Sequence, residues 1–374
     1  MAKENISLVQ LLMLVVNFEL GSSIVVGLGQ GAGNDAWIAI GGASLFGVAL
    51  LWLYYALSTR MENHNLYTVI EFCFGRKLGI ILAFFYISYF TYLAARVIRD
   101  FCELLSSAIL PNTPMEVMSL TLCLVLGYIL YLGIEVLART NEIFSPYLLL
   151  FLLMLTIFLI ASGGVDPKQL LPLFGNGASP IIKQVFPELI TFPYGEMVAF
   201  TLIFPLVTRK SHIKHVAFLG LATATFLLIL AEILTVMSLG VDAMQRSNFP
   251  LLTVARNVSI GGFVERIEVL VVFIMLLGIL VKSSVFLFGA LKGMEYVYRL
   301  PFRYFALPGA MLVSLFSVLV SVNFADHIEE GIKLVPKYLH LPFQIGFPVS
   351  LFLTMMIKLF IMQKKGNGQI DEHS

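Results

Sequence analysis

Phe18-Glu19-Leu20-Gly21-Ser22-Ser23 and Phe192-Pro193-Tyr194-Gly195-Glu196 are the two stretches that decide how this chain is read. Each lies about halfway along an apolar run, and a bilayer-spanning helix needs roughly 20 mostly apolar residues. Each carries F-x-x-G and a carboxylate, and the second adds a proline. Glycine and proline weaken a helix at that depth, where an ionised carboxylate is costly. Two segments interrupted at matching positions are the best sequence pointer to a transporter-type binding site near the bilayer midplane.

Outward from these stretches, about ten apolar segments follow, near 7–31, 37–58, 78–110, 117–135, 143–161, 184–207, 216–239, 263–292, 302–323 and 343–362. The 374 residues are 59% hydrophobic and 13% charged, with a mean hydropathy of +0.91. Soluble domains carry about a quarter charged residues. The expectation is an all-α integral membrane protein, because in lipid every backbone polar group must be satisfied internally. The first apolar run lacks a small-residue cleavage site and reads as a retained helix. Residues 1–362 form one transmembrane domain, and 363–374 form a polar, disordered tail.

Loop charges set the orientation. With the N-terminus inside, the inner loops and tail hold Lys3, Arg60, Arg76, Lys77, Arg139, Arg209, Lys210, Lys214, Lys292, Arg299, Arg303, Lys364 and Lys365. The outer loops hold only Lys168, Lys183, Arg246, Arg256, Lys333 and Lys337. This bias places both termini in the cytoplasm, with an even number of spans. Ten spans divide into repeat 1 (about 7–162) and repeat 2 (about 184–362). Five is odd, so the second repeat enters inverted, with segments 1 and 6 as the broken pair.

Several function classes drop out. A net charge of +1 offers no basic field for nucleic acid. Cys73, Cys102 and Cys123 are scattered without metal-ligand spacing, and the six histidines, His64, His212, His215, His327, His340 and His373, read as solvated loop or tail residues. No metal, cofactor or enzymatic constellation is expected. Gly27-x-Gly29-x-Gly31-x-Gly33 lacks the strand and the Gly-Lys-Ser/Thr of a phosphate loop. It reads as the end of segment 1 easing into an outer loop.

Taken in order, Phe18–Gly29, Asp35-Ala36-Trp37-Ile38, Asn112-Thr113-Pro114, Pro172-Leu173-Phe174-Gly175-Asn176-Gly177 and Phe263-Val264-Glu265-Arg266-Ile267-Glu268 resemble the B subunits of spore germinant receptors. These are the GerAB/GerBB type, within the amino acid–polyamine–organocation transporter superfamily, and the likeness covers nearly the whole chain. It implies a LeuT-like five-plus-five fold and the inner membrane of a bacterial endospore. It also implies a complex with a larger A-type membrane subunit and a C-type lipoprotein, triggered by a nutrient, typically an amino acid. The break departs from the Gly-Ala-Gly type of many relatives, reading Gly21-Ser22-Ser23 with no proline after it.

A zwitterionic nutrient needs two opposite receptors. Its carboxylate suits free N–H groups at a half-helix N-terminus, here after Gly21, and its ammonium suits the unwound carbonyls of Pro193–Glu196. Ser22, Ser23 and Thr191 add hydroxyls, Phe192 and Tyr194 are placed to cap the ligand, and Gly195 completes the break. Gly21 and Gly195 read equally as close-packing positions between helices. The LeuT-like fold implies that segment 8 runs beside segment 1, so Lys282 is placed to pair with Glu19, where sodium-coupled relatives hold an ion. Glu196 flanks the other break, and Ser283 and Ser284 offer hydroxyls for an ion site. A structural ion pair without a transport role is the competing reading. Arg96–Asp100 and Arg99–Glu103 read as i,i+4 pairs at the outer interface, and Glu265, Arg266 and Glu268 as interface residues.

Three functions are therefore open. A nutrient sensor coupled to partner subunits follows the resemblance. A proton- or sodium-coupled amino-acid transporter has the same folding physics. A scaffold or ion and water conduit binds no nutrient and would keep germinant specificity when Gly21, Thr191 and Tyr194 are mutated together.

Overall fold

Ser7 caps the first helix, α1 (Leu8–Leu20), through a reciprocal box in which Ser7 Oγ accepts from the Gln10 N–H and the Gln10 side chain accepts from the Ser7 N–H. The helix stops at Gly21, whose φ of 25° suits a residue without Cβ. One further turn, α2 (Ser23–Val26), precedes Gly27, Gly29 and Gly33, with φ of 79°, 67° and 61°. These glycines carry the chain out of the first span as the sequence indicates. The computed structural model describes residues 4–61, 64–261 and 266–371, with side chains to Lys364. Lys3, Phe263, Val264, Glu265 and His373, which entered the sequence reading, lie outside them.

The first half continues with α3 (Ala36–Thr59), α4 (Leu66–Ala108), α5 (Met115–Leu132) and α6 (Ile134–Ala161). Helix α4 changes direction at Gly75, where φ is 76°. Helix α6 begins nine residues before its apolar run, because Gly133 turns the chain directly after α5. The polar first turns are held by Arg139 on Glu135 at 2.5 Å and by the Asn5 N–H on Glu135 at 3.3 Å. The second half contains α7 (Ser179–Lys183), α8 (Ile213–Gln245), α9 (Pro250–Arg256), α10 (Glu268–Tyr298), α11 (Ala306–Leu319), α12 (Phe324–Lys333) and α13 (Phe347–Asp371). The helix of α13 runs on into the stretch read as a tail.

Among the described residues, nine continuous stretches are long and apolar enough to cross a membrane. The tenth segment lies between α7 and α8 and is broken into short pieces. Gln184–Leu189 forms a wide turn, Tyr194–Leu202 a tight 3-10 stretch, and Thr191–Pro193 separates them. Pro187 and Pro193 each remove a backbone donor that a continuous helix needs. A second irregular stretch, Pro336–Gly346, leads into α13 and packs against the broken segment.

Helix α10 stands at the centre, packed against α4, α1, α6 and α11 and buried along most of its length. It approaches the break in α1 without intervening side chains. A Cβ on Gly278 would lie 2.9 Å from the Gly21 Cα. Outward-facing apolar side chains such as Leu45, Phe84, Phe226, Leu315 and Ile357 remain exposed, as a lipid-covered surface requires. No strand is present among the described residues. One isolated parallel bridge joins Ile6 to Val207, with the Ile6 N–H donating to the Leu206 carbonyl at 3.0 Å and the Thr208 N–H to the Ile6 carbonyl at 3.1 Å.

Candidate functional site

The two breaks meet at Lys282 of α10. Its ammonium lies 2.6 Å from Glu196 Oε2, with both side chains buried. It also donates to Ser23 Oγ at 3.4 Å and sits 4.4 Å above the centroid of the Phe192 ring. The side chain threads past Gly21, where a Cβ would come within 2.5 Å of Lys282 Cδ. One cation thus ties segment 1, segment 6 and α10 together. The partner is Glu196, not the Glu19 expected from the sequence. Glu19 is fully buried, within electrostatic reach of Lys282 and Glu196, and neither of its carboxylate oxygens has a hydrogen-bond partner among the described residues.

Above this pair, toward the face opposite the N-terminus, lies a cavity of about 350 Å³. Its floor is Ser22, Phe192, Glu196 and His340, and its rim is the exposed Gly31, Gln245 and Asn248. One wall is apolar. Leu93 and Val97 come from one face of α4, Ile328 and Ile332 from one face of α12, and Val335 closes the gap. Arg96 and Asp100 from α4 and Glu188 and Gln184 from the broken segment supply charge and hydrogen-bonding capacity.

The structure brings only part of the expected site together. Ser22 and Phe192 line the cavity with Glu196, while Gly21, Ser23 and Lys282 lie directly behind them. Thr191 is buried and donates to the Pro187 and Glu188 carbonyls at 2.8 and 2.9 Å, so its hydroxyl stabilises the break itself. Tyr194 points away, toward α3 and α8. Its hydroxyl donates to the Ile40 carbonyl at 3.3 Å and accepts from Thr225 at 3.2 Å. Gly195 does not present a free carbonyl, because Tyr54 donates to it at 3.0 Å and to the Gln344 carbonyl at 2.8 Å. A Cβ on Gly195 would collide with the Gln344 side chain. Ser283 and Ser284 are fully buried beside Lys282 and outside the cavity lining. Only one helical turn, Ser23–Val26, follows the break, too short for the half-helix dipole expected there.

The sequence missed two buried histidines. His327 Nε2 meets Asp100 Oδ1 at 2.9 Å and its Nδ1 meets Ser321 Oγ at 3.0 Å. His340 Nδ1 meets the Tyr89 hydroxyl at 2.8 Å, and Gln344 Nε2 donates to that hydroxyl at 2.9 Å. Neither is the solvated loop residue the sequence suggested. Asp100 is therefore taken by His327, and the expected Arg96–Asp100 pair gives way. Arg96 donates to the His327 carbonyl at 2.6 Å and faces Glu330 at 3.9 Å, which seats α12 on α4. Arg99–Glu103 forms as expected, at 2.8 Å. At the rim of α12, Lys333 beside Glu329 holds that carboxyl below its ordinary range. The legible signal for the missed Tyr89–His340 pair was Gln344, a polar residue inside an apolar run beside two prolines. Glu232 of α8 accepts from the Leu28 N–H at 3.4 Å and supports the turn after α2.

Beneath the ion pair the molecule is sealed. Phe18 packs edge-on against Phe200 and Phe286, each at 5.1 Å between centroids, and Phe90 and Phe204 extend the cluster. Below it the chain near the N-terminus is pinned at the Ile6–Val207 bridge and by Glu4 on Arg303 at 3.1 Å. Burial pushes the Glu4 carboxyl up, against the downward pull of Arg303. The cavity is open on one face of the membrane and closed toward the other.

Among the described residues, nine membrane-spanning stretches and one broken segment around a half-open cavity define a permease-like membrane protein with a LeuT-like fold. MhsT, solved in complex with L-phenylalanine, superposes with a TM-score of 0.70 at 14% identity, covering 94% of this chain and 90% of that one. Mhp1, a nucleobase-cation-symport-1 family transporter in a closed conformation with bromovinylhydantoin bound, superposes with a TM-score of 0.57 at 16% identity, covering 85% and 72%. Residues 5–328 match the family described as "Spore germination protein". The chain is 33% identical over 360 residues to "Spore germination protein KB" of Bacillus subtilis (strain 168), covering 96% of each. It is 22% identical over 299 residues to "Spore germination protein YndE" of the same strain, covering 79% of this chain and 81% of that one. The chain belongs to the spore germination protein family, the GerAB/GerBB-type B subunits that its sequence resembles. It is a permease-like, multi-pass membrane protein and not an enzyme.

Proposed function

We propose that this chain is the nutrient-sensing membrane subunit of a spore germinant receptor, and that the nutrient is a small zwitterion such as an amino acid. The carrying observation is the half-open cavity of about 350 Å³ that exposes both interrupted segments through Ser22, Phe192 and Glu196. It offers charge of both signs. Arg96 suits a carboxylate, because a guanidinium grips it with two donors, and Glu188, Glu196 and the Phe192 face suit an ammonium. In this reading the subunit sits in the inner membrane of the endospore with both termini cytoplasmic. It works beside an A-type membrane subunit and a C-type lipoprotein, and needs no cofactor or metal.

Binding must favour one conformer over another, since equal affinity for both shifts nothing. The broken segment and the Pro336–Gly346 stretch are the pair positioned to move, joined by Tyr54 across Gly195 and Gln344. A leucine at 195 drives into the Gln344 side chain and separates them. In spores carrying this chain as their only B subunit, Gly195→Leu is expected to raise the nutrient concentration for half-maximal germination about tenfold, equivalent to about 1.4 kcal/mol. A screen of amino acids and sugars on the wild-type spores identifies the nutrient first. An unchanged dose–response in well-expressed Gly195→Leu spores removes this account.

A working transporter is the second reading, favoured by the superposition on solved transporters over nearly the whole chain. Uptake of labelled amino acid into liposomes holding the isolated chain would establish it.

A further inference from the structure

Glu19 is the buried charge-bearing group that the site as described leaves without a role. It is the penultimate residue of α1, two before Gly21, fully buried, with neither carboxylate oxygen accepting a hydrogen bond among the described residues. The groups around it are Lys282 from α10, Glu196 and Tyr194 from the broken segment, and Tyr54 from α3. The two tyrosine hydroxyls are spent elsewhere, on the Gly195 and Gln344 carbonyls and on the Ile40 carbonyl. The Lys282 ammonium is committed to Glu196 at 2.6 Å, and that pair is already neutral. An ionised Glu19 would therefore be a buried net negative charge with no donor and no free counter-charge among the described residues, a costly arrangement for any carboxylate.

We propose that Glu19 is a proton-binding site, and that it is the alternative partner of Lys282. With Lys282 on Glu196, Glu19 carries a proton and the three groups sum to zero. When Glu196 is neutralised from the cavity side, Lys282 turns to Glu19, which ionises, and the sum is again zero. Written with a ligand ammonium, Glu19–COOH, Lys282⁺, Glu196⁻ and R–NH₃⁺ become Glu19–COO⁻ paired with Lys282⁺, Glu196⁻ paired with R–NH₃⁺, and one released H⁺. Charge is +1 on each side. That last step rests on the ammonium reading of the cavity, whereas the proton on Glu19 does not.

The position of Lys282 suits the exchange. Lys282 lies between the two breaks, against Gly21 on one side and the Phe192 ring on the other, with Glu19 within electrostatic reach, and the exchange asks its ammonium to turn from Glu196 toward Glu19. Ser23 Oγ, at 3.4 Å, is an acceptor that Lys282 keeps in reach. The device gives the buried lysine one ionised partner in either state.

Infrared spectra of the full chain in lipid nanodiscs, without any nutrient, test both halves. The carbonyl stretch of an un-ionised carboxylic acid is read at neutral pH in wild type, Glu19→Gln and Glu196→Gln. Background from other carboxyls, Glu232 among them, is common to all three and cancels in the differences. The expected result is one carboxylic-acid equivalent in wild type that disappears in Glu19→Gln. It also disappears in Glu196→Gln, because Lys282 then has only Glu19 to pair with. A carboxylic-acid band no weaker in Glu19→Gln than in wild type overturns the proton site. A band no weaker in Glu196→Gln than in wild type overturns the exchange. If Glu19→Gln fails to fold, Glu19→Asp keeps a carboxyl, and the expected result is a retained band at shifted frequency that again vanishes when combined with Glu196→Gln. Because no nutrient is present, failure here is separate from failure of the germinant reading.

Discussion

Lys282→Met is expected to abolish nutrient-triggered germination and to destabilise the purified protein by about 3–5 kcal/mol, the range for removing one partner of a buried ion pair. The loss arises because Glu196 keeps its burial but loses the ammonium at 2.6 Å, its only ion-pair partner among the described residues. The same substitution frees the Ser23 hydroxyl and removes the cation from the Phe192 face, so both interrupted segments lose their tie to α10. The double variant Lys282→Met with Glu196→Gln removes both charges together, and replacing a buried pair by neutral groups is often close to neutral in stability. Thermal unfolding in detergent should show most of the single variant's loss recovered. Germination should stay absent, since the floor of the cavity has lost its charge. A single variant as stable as wild type would mean that the pair contributes nothing to holding the breaks.

The second large effect is expected from one methyl group. Gly278→Ala places a Cβ 2.9 Å from the Gly21 Cα and 3.1 Å from its nitrogen and carbonyl oxygen. Backbone cannot turn aside as a side-chain tip can, so α10 must shift away from the break. Overpacking costs typically about 1–3 kcal/mol, and this contact belongs at or above the upper end. Lys282 lies one turn along the same helix face and moves with it, so the ion pair suffers too. Gly309→Ala is the control. Its Cβ would meet the Leu291 and Leu287 methyl groups at 3.1 and 3.4 Å, flexible ends that can give. Alanine also favours helix over glycine by about 1 kcal/mol, so that variant should be neutral or slightly stabilised. The folded fraction on size exclusion and the unfolding midpoint separate the two.

What the sequence made legible follows from the kind of information each residue carries. Apolar run length gave the spans, and glycine and proline beside mid-run carboxylates gave both interruptions. The partner of Lys282 was not legible. Glu19 and Glu196 sit at the same depth, and an apolar run reveals depth but not which way a side chain faces around the axis. Tyr194 failed for a related reason. It lies two residues past Phe192, across the turn at Phe192–Pro193, and positions two apart do not share a face even on a regular helix. His327 looked solvated because it sits among Asn323, Asp326, Glu329 and Glu330, and His340 because it lies between two spans near Lys333 and Lys337. Their partners, Asp100 and Tyr89, are 227 and 251 residues away. The apolar wall was hidden because α12 is only ten residues long and was read as part of an outer loop.

The bridge between Ile6 and Val207 has a consequence for biosynthesis. Thr208 and Ile6 are separated by 202 positions, so a ribosome adding about 5–20 residues per second delivers the second half of that clasp some 10–40 s after the first. Through that interval the opening helix enters the lipid without its lower anchor. Insertion of the sixth segment, and not of the first, is then the event that shuts the nascent molecule on its N-terminal side.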